Sequence, residues 1–138
     1  MNDLLKAYQL LRKFKGDSYI FGMDITKEIP RNFYPEGESV AIIRSTFTGS
    51  NDQLAPLQQM ISKRNKVCAI ITGPQPNAPI KDLERICSRL GQCLPSYLVS
   101  FGGGSTTDIT KAVNIIFSLG GTIDQYFGMA LASQAIHK

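Results

Sequence analysis

The sequence predicts an α/β fold, a parallel sheet with helices on both faces. Three observations predict it. Short apolar runs recur at Val40–Ile43, Val67–Ile71 and Tyr97–Phe101, helical patterns separate them, and the runs do not alternate as a strand with one wet face would. The 138 residues suit a single domain, here residues 1–138.

The elements follow in order. Leu4, Leu5, Tyr8, Leu11 and Phe14 recur at helical spacing, so residues 1–18 hold an amino-terminal amphipathic helix that Gly16 ends. Tyr19-Ile20-Phe21 is a short strand candidate, and the proline-bearing stretch from Asp24 to Gly37 is a connection. The β-branched run Val40–Ile43 leads through Thr48-Gly49-Ser50 into a helix from about Asp52 to Arg64. Pro56 is assigned to the first turn of that helix, where a missing amide costs nothing. Val67–Ile71 is the next strand, followed by the turn Gly73-Pro74-Gln75-Pro76-Asn77-Ala78-Pro79. Ile80 to Leu90 is a helix with Leu83, Ile86 and Leu90 on one face, and Tyr97–Phe101 is the third strand.

Composition narrows the function classes. Hydrophobic residues make up 43% and charged ones 19%, the balance of a chain that folds. A formal charge of +4 suits an anionic ligand without requiring nucleic acid, and no nucleic-acid partner is expected. No run reaches the roughly 18 apolar residues that span a bilayer, and the opening residues lack a secretory pattern. The expectation is a cytoplasmic protein without a membrane partner. Cys68, Cys87 and Cys93 form no C-x-x-C pair and read as small buried hydrophobes in a reducing compartment. His137 is the only histidine, so no site built from several imidazoles is available and no catalytic residue or metal ligand is assigned.

The strongest local feature is Phe101-Gly102-Gly103-Gly104-Ser105-Thr106-Thr107-Asp108-Ile109-Thr110-Lys111, where a buried strand hands over to a helix whose inner stripe is Ile109, Ala112, Val113 and Ile116. The glycine spacing matches neither G-x-G-x-x-G nor a Walker loop. The physical ingredients are nevertheless those of a phosphate cradle: residues without Cβ admit close approach, and the free amides of a helix's first turn favour an anion. A second reading stands beside it. Ser105 and Asp108 match an S-x-x-D variant of the capping box, Lys111 suits a solvated helix face, and the glycines suit a tight turn.

Gly102-Gly103-Gly104-Ser105-x-x-Asp108-x-x-Lys111, between an apolar strand and an Ala/Val-bearing helix, resembles the dinucleotide motif of the iron-containing (group III) alcohol dehydrogenases. Gly73–Pro79 is similar to that family's G-x-x-P-N-P-T turn, and Ile123-Asp124-Gln125-Tyr126-Phe127 to its acidic-aromatic segment. The Phe21-Gly22 step and the Val40–Ile43 strand fall in the family's order, so the likeness covers roughly Tyr19 to Gly128. A dehydroquinate-synthase-like protein is the more distant alternative.

The resemblance implies a Rossmann-like sheet and a site for NAD or NADP. It implies that Gly103, Gly104 and Ser105 hold the pyrophosphate, with Gly102 also among the cofactor-binding residues, Asp108 toward the nicotinamide side and Asn77 toward the adenosine end. Lys111 matches the family's lysine, with its role open. Many members carry an acidic residue after the Val40–Ile43 strand that binds the adenosine ribose. Here the stretch is Arg44-Ser45-Thr46, so a 2′-phosphate meets no repelling carboxylate and NADP is weakly favoured. An exposed strand-end cation is the other reading of Arg44.

The family continues into a helical domain whose Asp and His side chains hold iron or zinc. This sequence ends at Lys138 without it, and no residue in it is assigned as a metal ligand. The expectation is therefore the amino-terminal, NAD(P)-binding part of an oxidoreductase interconverting an alcohol and an aldehyde or ketone, inactive alone and completed by a helical metal-binding chain or accompanied by self-association. A non-catalytic nucleotide or phosphate module, or an inactive remnant, is the alternative.

Overall fold

A computed structural model describes residues 2–16, 36–128 and 131–136 of the chain. The chain divides into two units, residues 1–35 and residues 36–138.

In the first unit, α1 (Asp3–Lys15) is capped by the Asn2 side chain, which accepts from the Leu4 amide at 3.2 Å. It ends at Gly16, which has a φ of 57° and donates its amide to the Arg12 carbonyl. Leu4, Leu5, Tyr8 and Phe14 are exposed. The strand expected at Tyr19–Phe21, the Phe21-Gly22 step and the connection from Asp24 to Pro35 lie outside the described residues.

The second unit is built on a parallel sheet of three strands, β1 (Ser39–Arg44), β2 (Lys66–Thr72) and β3 (Tyr97–Phe101), in the order β2-β1-β3. β1 is central. Val40, Ala41, Ile42 and Ile43 are each at most 1% exposed, which a strand achieves only when both faces are covered, so the lack of alternation in the sequence has its physical cause here. Ala41 pairs with Leu98 and Ala69, and Ile43 with Ser100 and Ile71. The expected α/β, Rossmann-like architecture is the one observed.

Two layers of helix cover the sheet. Ala41 and Ile43 pack with Ile71 beneath Leu83, Ile86 and Leu90 of α3 (Ile80–Gly91) and Ile109 and Val113 of α4 (Gly104–Leu119). Successive residues of a strand face opposite ways, so Val40 and Ile42 point to the other face. There α2 (Ser50–Ser62) buries Leu54, Leu57 and Ile61. A 3-10 turn, Ile123–Tyr126, follows α4, closed by a Thr122–Gln125 capping box, and α5 (Leu131–Ile136) follows it.

The first turn of α2 corrects one expectation. The helix begins at Ser50, after Gly49 in the left-handed region (φ 79°), so Pro56 is its seventh residue and lies in the interior. Pro56 is exposed, and the helix survives the lost amide because Leu54, Leu57 and Ile61 hold the opposite side against the sheet.

At the amino edge of the sheet, Asn65 ties the strands together. Its Oδ1 accepts the Glu38 amide at 3.0 Å, and the Lys66 amide donates to the Glu38 carbonyl at 2.9 Å. The carboxyl edge is tied differently, and it is where the candidate residues gather.

Candidate functional site

The strand order makes a crevice at the carboxyl edge. From β1 the chain turns through α2 toward β2 on one side. From β3, on the other side of β1, it turns into α4 on the opposite face of the sheet. Where neighbouring strands send their chains apart, the strand ends leave a gap in which ligands of open α/β sheets bind.

Backbone contacts close the floor of this crevice. The Ser45 amide donates to the Phe101 carbonyl at 2.9 Å, extending the β1–β3 pairing by one residue, and the Gly73 amide donates to the Arg44 carbonyl at 2.6 Å. Two glycines are required by this closeness. A Cβ at Gly73 would stand 3.0 Å from the Arg44 oxygen and 3.4 Å from Thr106 Cγ2. A Cβ at Gly102, whose φ is 158°, would stand 2.5 Å from Ser45 Oγ and 2.7 Å from Thr106 Oγ1. Ser45, Gly73, Gly102 and the buried Thr106 therefore form one packed floor.

Gly103 and Gly104 are of another kind. A Cβ on either would meet nothing within 4 Å. Packing does not demand these glycines, and both are exposed, so their bare backbone stands open at the start of α4. Gly103 is the N-cap, in extended conformation, and no side chain caps the helix. Ser105 is the second residue of α4, which corrects the capping-box reading of Ser105 and Asp108: the N-cap place is taken by Gly103, which has no side chain to cap with. The Gly103 carbonyl is occupied, accepting the Thr107 amide at 3.0 Å and Thr107 Oγ1 at 3.2 Å, and Thr110 Oγ1 donates to the Thr106 carbonyl at 2.7 Å. The amides of the first turn are left for a ligand or solvent, at the positive end of the helix dipole.

Arg44 ends β1. Its Nε donates to the Ser45 carbonyl at 3.3 Å, and its two terminal nitrogens donate to Asn51 Oδ1 and Ser50 Oγ. The cation is thus oriented by the first turn of α2, with two of its five N–H donors left over. The sequence reading missed Ser50 and Asn51 as its holders, although two polar residues opening the helix after a strand-end arginine are the signal that finds them.

The remaining candidates lie further out. Asn77 is exposed, has a left-handed φ of 66°, and belongs to the turn after β2, one strand removed from the glycine loop. Asp108 and Lys111 form an ion pair at 3.7 Å, each side chain 72% exposed, on the side of α4 away from the buried Ile109 and Val113. The structure brings together Arg44, Ser45, Gly102, Gly103, Gly104 and Ser105, and leaves Asn77, Asp108 and Lys111 outside that group.

The proline turn is clamped by residues the sequence reading passed over. Arg85 donates to the carbonyls of Thr72 at 2.9 Å and Gly73 at 2.8 Å, and Asp82 Oδ2 accepts the Gln75 amide at 2.8 Å. Asp82 and Arg85 are themselves paired at 3.0 Å. The Gln75 amide, then the Arg85 guanidinium, hold the Asp82 carboxyl below the usual carboxylate range. Burial raises the Cys87 thiol and pushes Cys93, beside Cys68, up to about 11. Thiols so shifted are protonated and poorly nucleophilic at neutral pH, in keeping with a packing role.

An open parallel α/β sheet with a glycine loop leading into an uncapped helix at its carboxyl edge defines the class of protein. The family model for iron-containing alcohol dehydrogenases matches residues 16–137, and the chain belongs to that family. Neither curated proteins nor solved structures give a match. Members of the family generally use NAD(P) with iron or zinc. The open backbone at Gly103 and Gly104, which a Cβ would occupy, leaves room for the diphosphate of such a dinucleotide. A metal ion is a different matter, because among the described residues no three His, Cys, Asp or Glu side chains are grouped as ligands. Also among the described residues, no helix is long and apolar enough to cross a membrane.

Two outcomes follow from this geometry. Gly102→Ala drives a Cβ into Ser45 and Thr106 and is expected to cost about 1–3 kcal/mol of stability in urea unfolding; a midpoint equal to wild type would contradict the packed floor. A carboxylate whose folded pKa is depressed adds stability above its unfolded pKa, near 3.8, and loses it as pH falls through the lower folded value. Asp82→Asn should therefore be less stable than wild type at pH 7, with the gap closing below about pH 4; a gap independent of pH would show that the charge of Asp82 is not what matters.

Proposed function

We propose that this chain is the NAD(P)-binding portion of an iron-containing alcohol dehydrogenase-like oxidoreductase, one that interconverts an alcohol and an aldehyde or ketone when its metal-bearing part is supplied. The observation that carries the reading is the uncapped start of α4, where Gly103 and Gly104 leave a hollow that no packing demand explains.

In this reading the amides at the start of α4 and the Ser105 hydroxyl donate to the diphosphate, and the helix dipole adds to the attraction. Gly102 keeps the loop tight against Ser45, so the donors are set before the ligand arrives and little ordering cost is incurred on binding. Arg44, already oriented by Ser50 and Asn51, offers its remaining donors to the adenosine ribose side, where a 2′-phosphate gains a charge-assisted bond. That favours NADP over NAD. Asn77 is assigned to the adenosine end and Asp108 to the nicotinamide side, with the role of Lys111 open. A bound dinucleotide supplies the hydride-transfer chemistry, while the chain binds and orients it.

Fluorescence titration of the chain with NADPH and NADH tests the proposal, and saturable binding of at least one is expected. Gly103→Val fills the hollow without touching the floor. It should leave the far-UV circular dichroism unchanged and weaken the dinucleotide at least about tenfold, given about 1.5–3 kcal/mol for each hydrogen bond lost to a charged group. Equal affinity in wild type and variant would reduce the loop to a turn. Arg44→Ala should weaken NADPH about tenfold and NADH little, whereas equal losses for both would remove the preference for NADP.

A further inference from the structure

The rings of Phe47 and Phe101 stack at the carboxyl edge of the sheet, with centroids 6.2 Å apart and planes inclined by 24°. Their places in the chain tie the pair to both sides of the crevice. Phe101 is the last residue of β3 and runs directly into Gly102. Phe47 lies three residues beyond Arg44, and its carbonyl accepts at 2.9 Å the amide of Ser50, the residue whose hydroxyl holds the Arg44 guanidinium. Phe101 is half-buried and anchored by the strand, whereas Phe47 is 44% exposed.

Phe47 is backed by a second ring on one side and partly open to solvent, between the strand end that carries Arg44 and the one that leads into the glycine loop. An aromatic face next to donors for phosphate is the pairing that nucleotide sites use, because every base has a π-face to stack while the charges hold its phosphates.

We propose that Phe47, supported by Phe101, is the stacking platform for the adenine base of the dinucleotide, an assignment that rests on the dinucleotide reading above. The adenine end is favoured over the nicotinamide end by Arg44. The arginine stands at the end of β1, where it meets the adenosine ribose and its 2′-phosphate, and Phe47 continues from that same strand end. Stacking carries no hydrogen-bond readout of the base, so the platform sets affinity for the adenosine half and not the choice among purines.

The chain contains no tryptophan, so Phe47→Trp installs a single indole reporter at the platform. Its emission should be quenched saturably by ADP and by 2′,5′-ADP, and left unchanged by nicotinamide mononucleotide, which lacks the adenine. Phe47→Ala and Phe47→Leu should each weaken ADP and NADPH about tenfold while leaving inorganic pyrophosphate, which reports on the glycine loop alone, bound as in wild type. Phe47→Leu keeps apolar bulk and removes the π-face, which separates stacking from packing. Adenine ligands bound as tightly by Phe47→Leu as by wild type would overturn the platform, as would an indole that responds equally to the mononucleotide. Failure of the dinucleotide reading is a distinct outcome, seen in the wild-type titration itself when neither NADH nor NADPH binds, and it would take the platform with it.

Discussion

The carboxyl end of β1 is held from both sides, and the rest of the structure depends on that constraint. Its last carbonyl accepts from Gly73 after β2, and the next amide donates to Phe101 at the end of β3. Those bonds bring three chain ends so close that Gly73 and Gly102 have no room for a side chain, with the buried Thr106 of α4 filling the gap between them. Because β1 is buried on both faces, the tie cannot shift without opening the core. The glycine loop is therefore positioned by the sheet, and the start of α4 is aimed by the same contacts.

Glycines in one run serve two physical purposes. Gly102 is required by its neighbours, while Gly103 and Gly104 face open space and are tolerated at the entropic cost that glycine always carries. A run that satisfied only a turn would need the first of them. The surplus has no packing cause, and α4 also begins without the side-chain cap that would compete for its first amides. On the other side of the crevice, the first turn of α2 spends its polar side chains on Arg44 rather than on its own amides, with Gly49 as N-cap. Both helices that open onto the crevice thus begin without a side-chain cap.

Much of the fold was legible in the sequence because burial leaves a compositional trace. The three strands were found at Val40–Ile43, Val67–Ile71 and Tyr97–Phe101, and the helix stripe Leu83, Ile86 and Leu90 is buried as expected. Pro56 was misplaced because proline's preference for a first turn is a local rule, and the packing of Leu54, Leu57 and Ile61 overrode it. Ser105 was read as a cap for a similar reason: residue type and spacing fit, yet the helix starts two residues earlier, with Gly103 in the cap position. The clamp of Asp82 and Arg85 on the proline turn, and the hold of Ser50 and Asn51 on Arg44, left no recognisable spacing.

By itself, then, the sequence determined the alternation of strand and helix, the parallel sense of the sheet, and the glycine loop between β3 and α4, because each is written in the burial or backbone freedom of consecutive residues. Only the tertiary structure decided the order β2-β1-β3, the division of the glycines into packed and open, and the stacking of Phe47 on Phe101. These depend on residues that meet across the sheet from tens of positions apart, where no local pattern records the encounter.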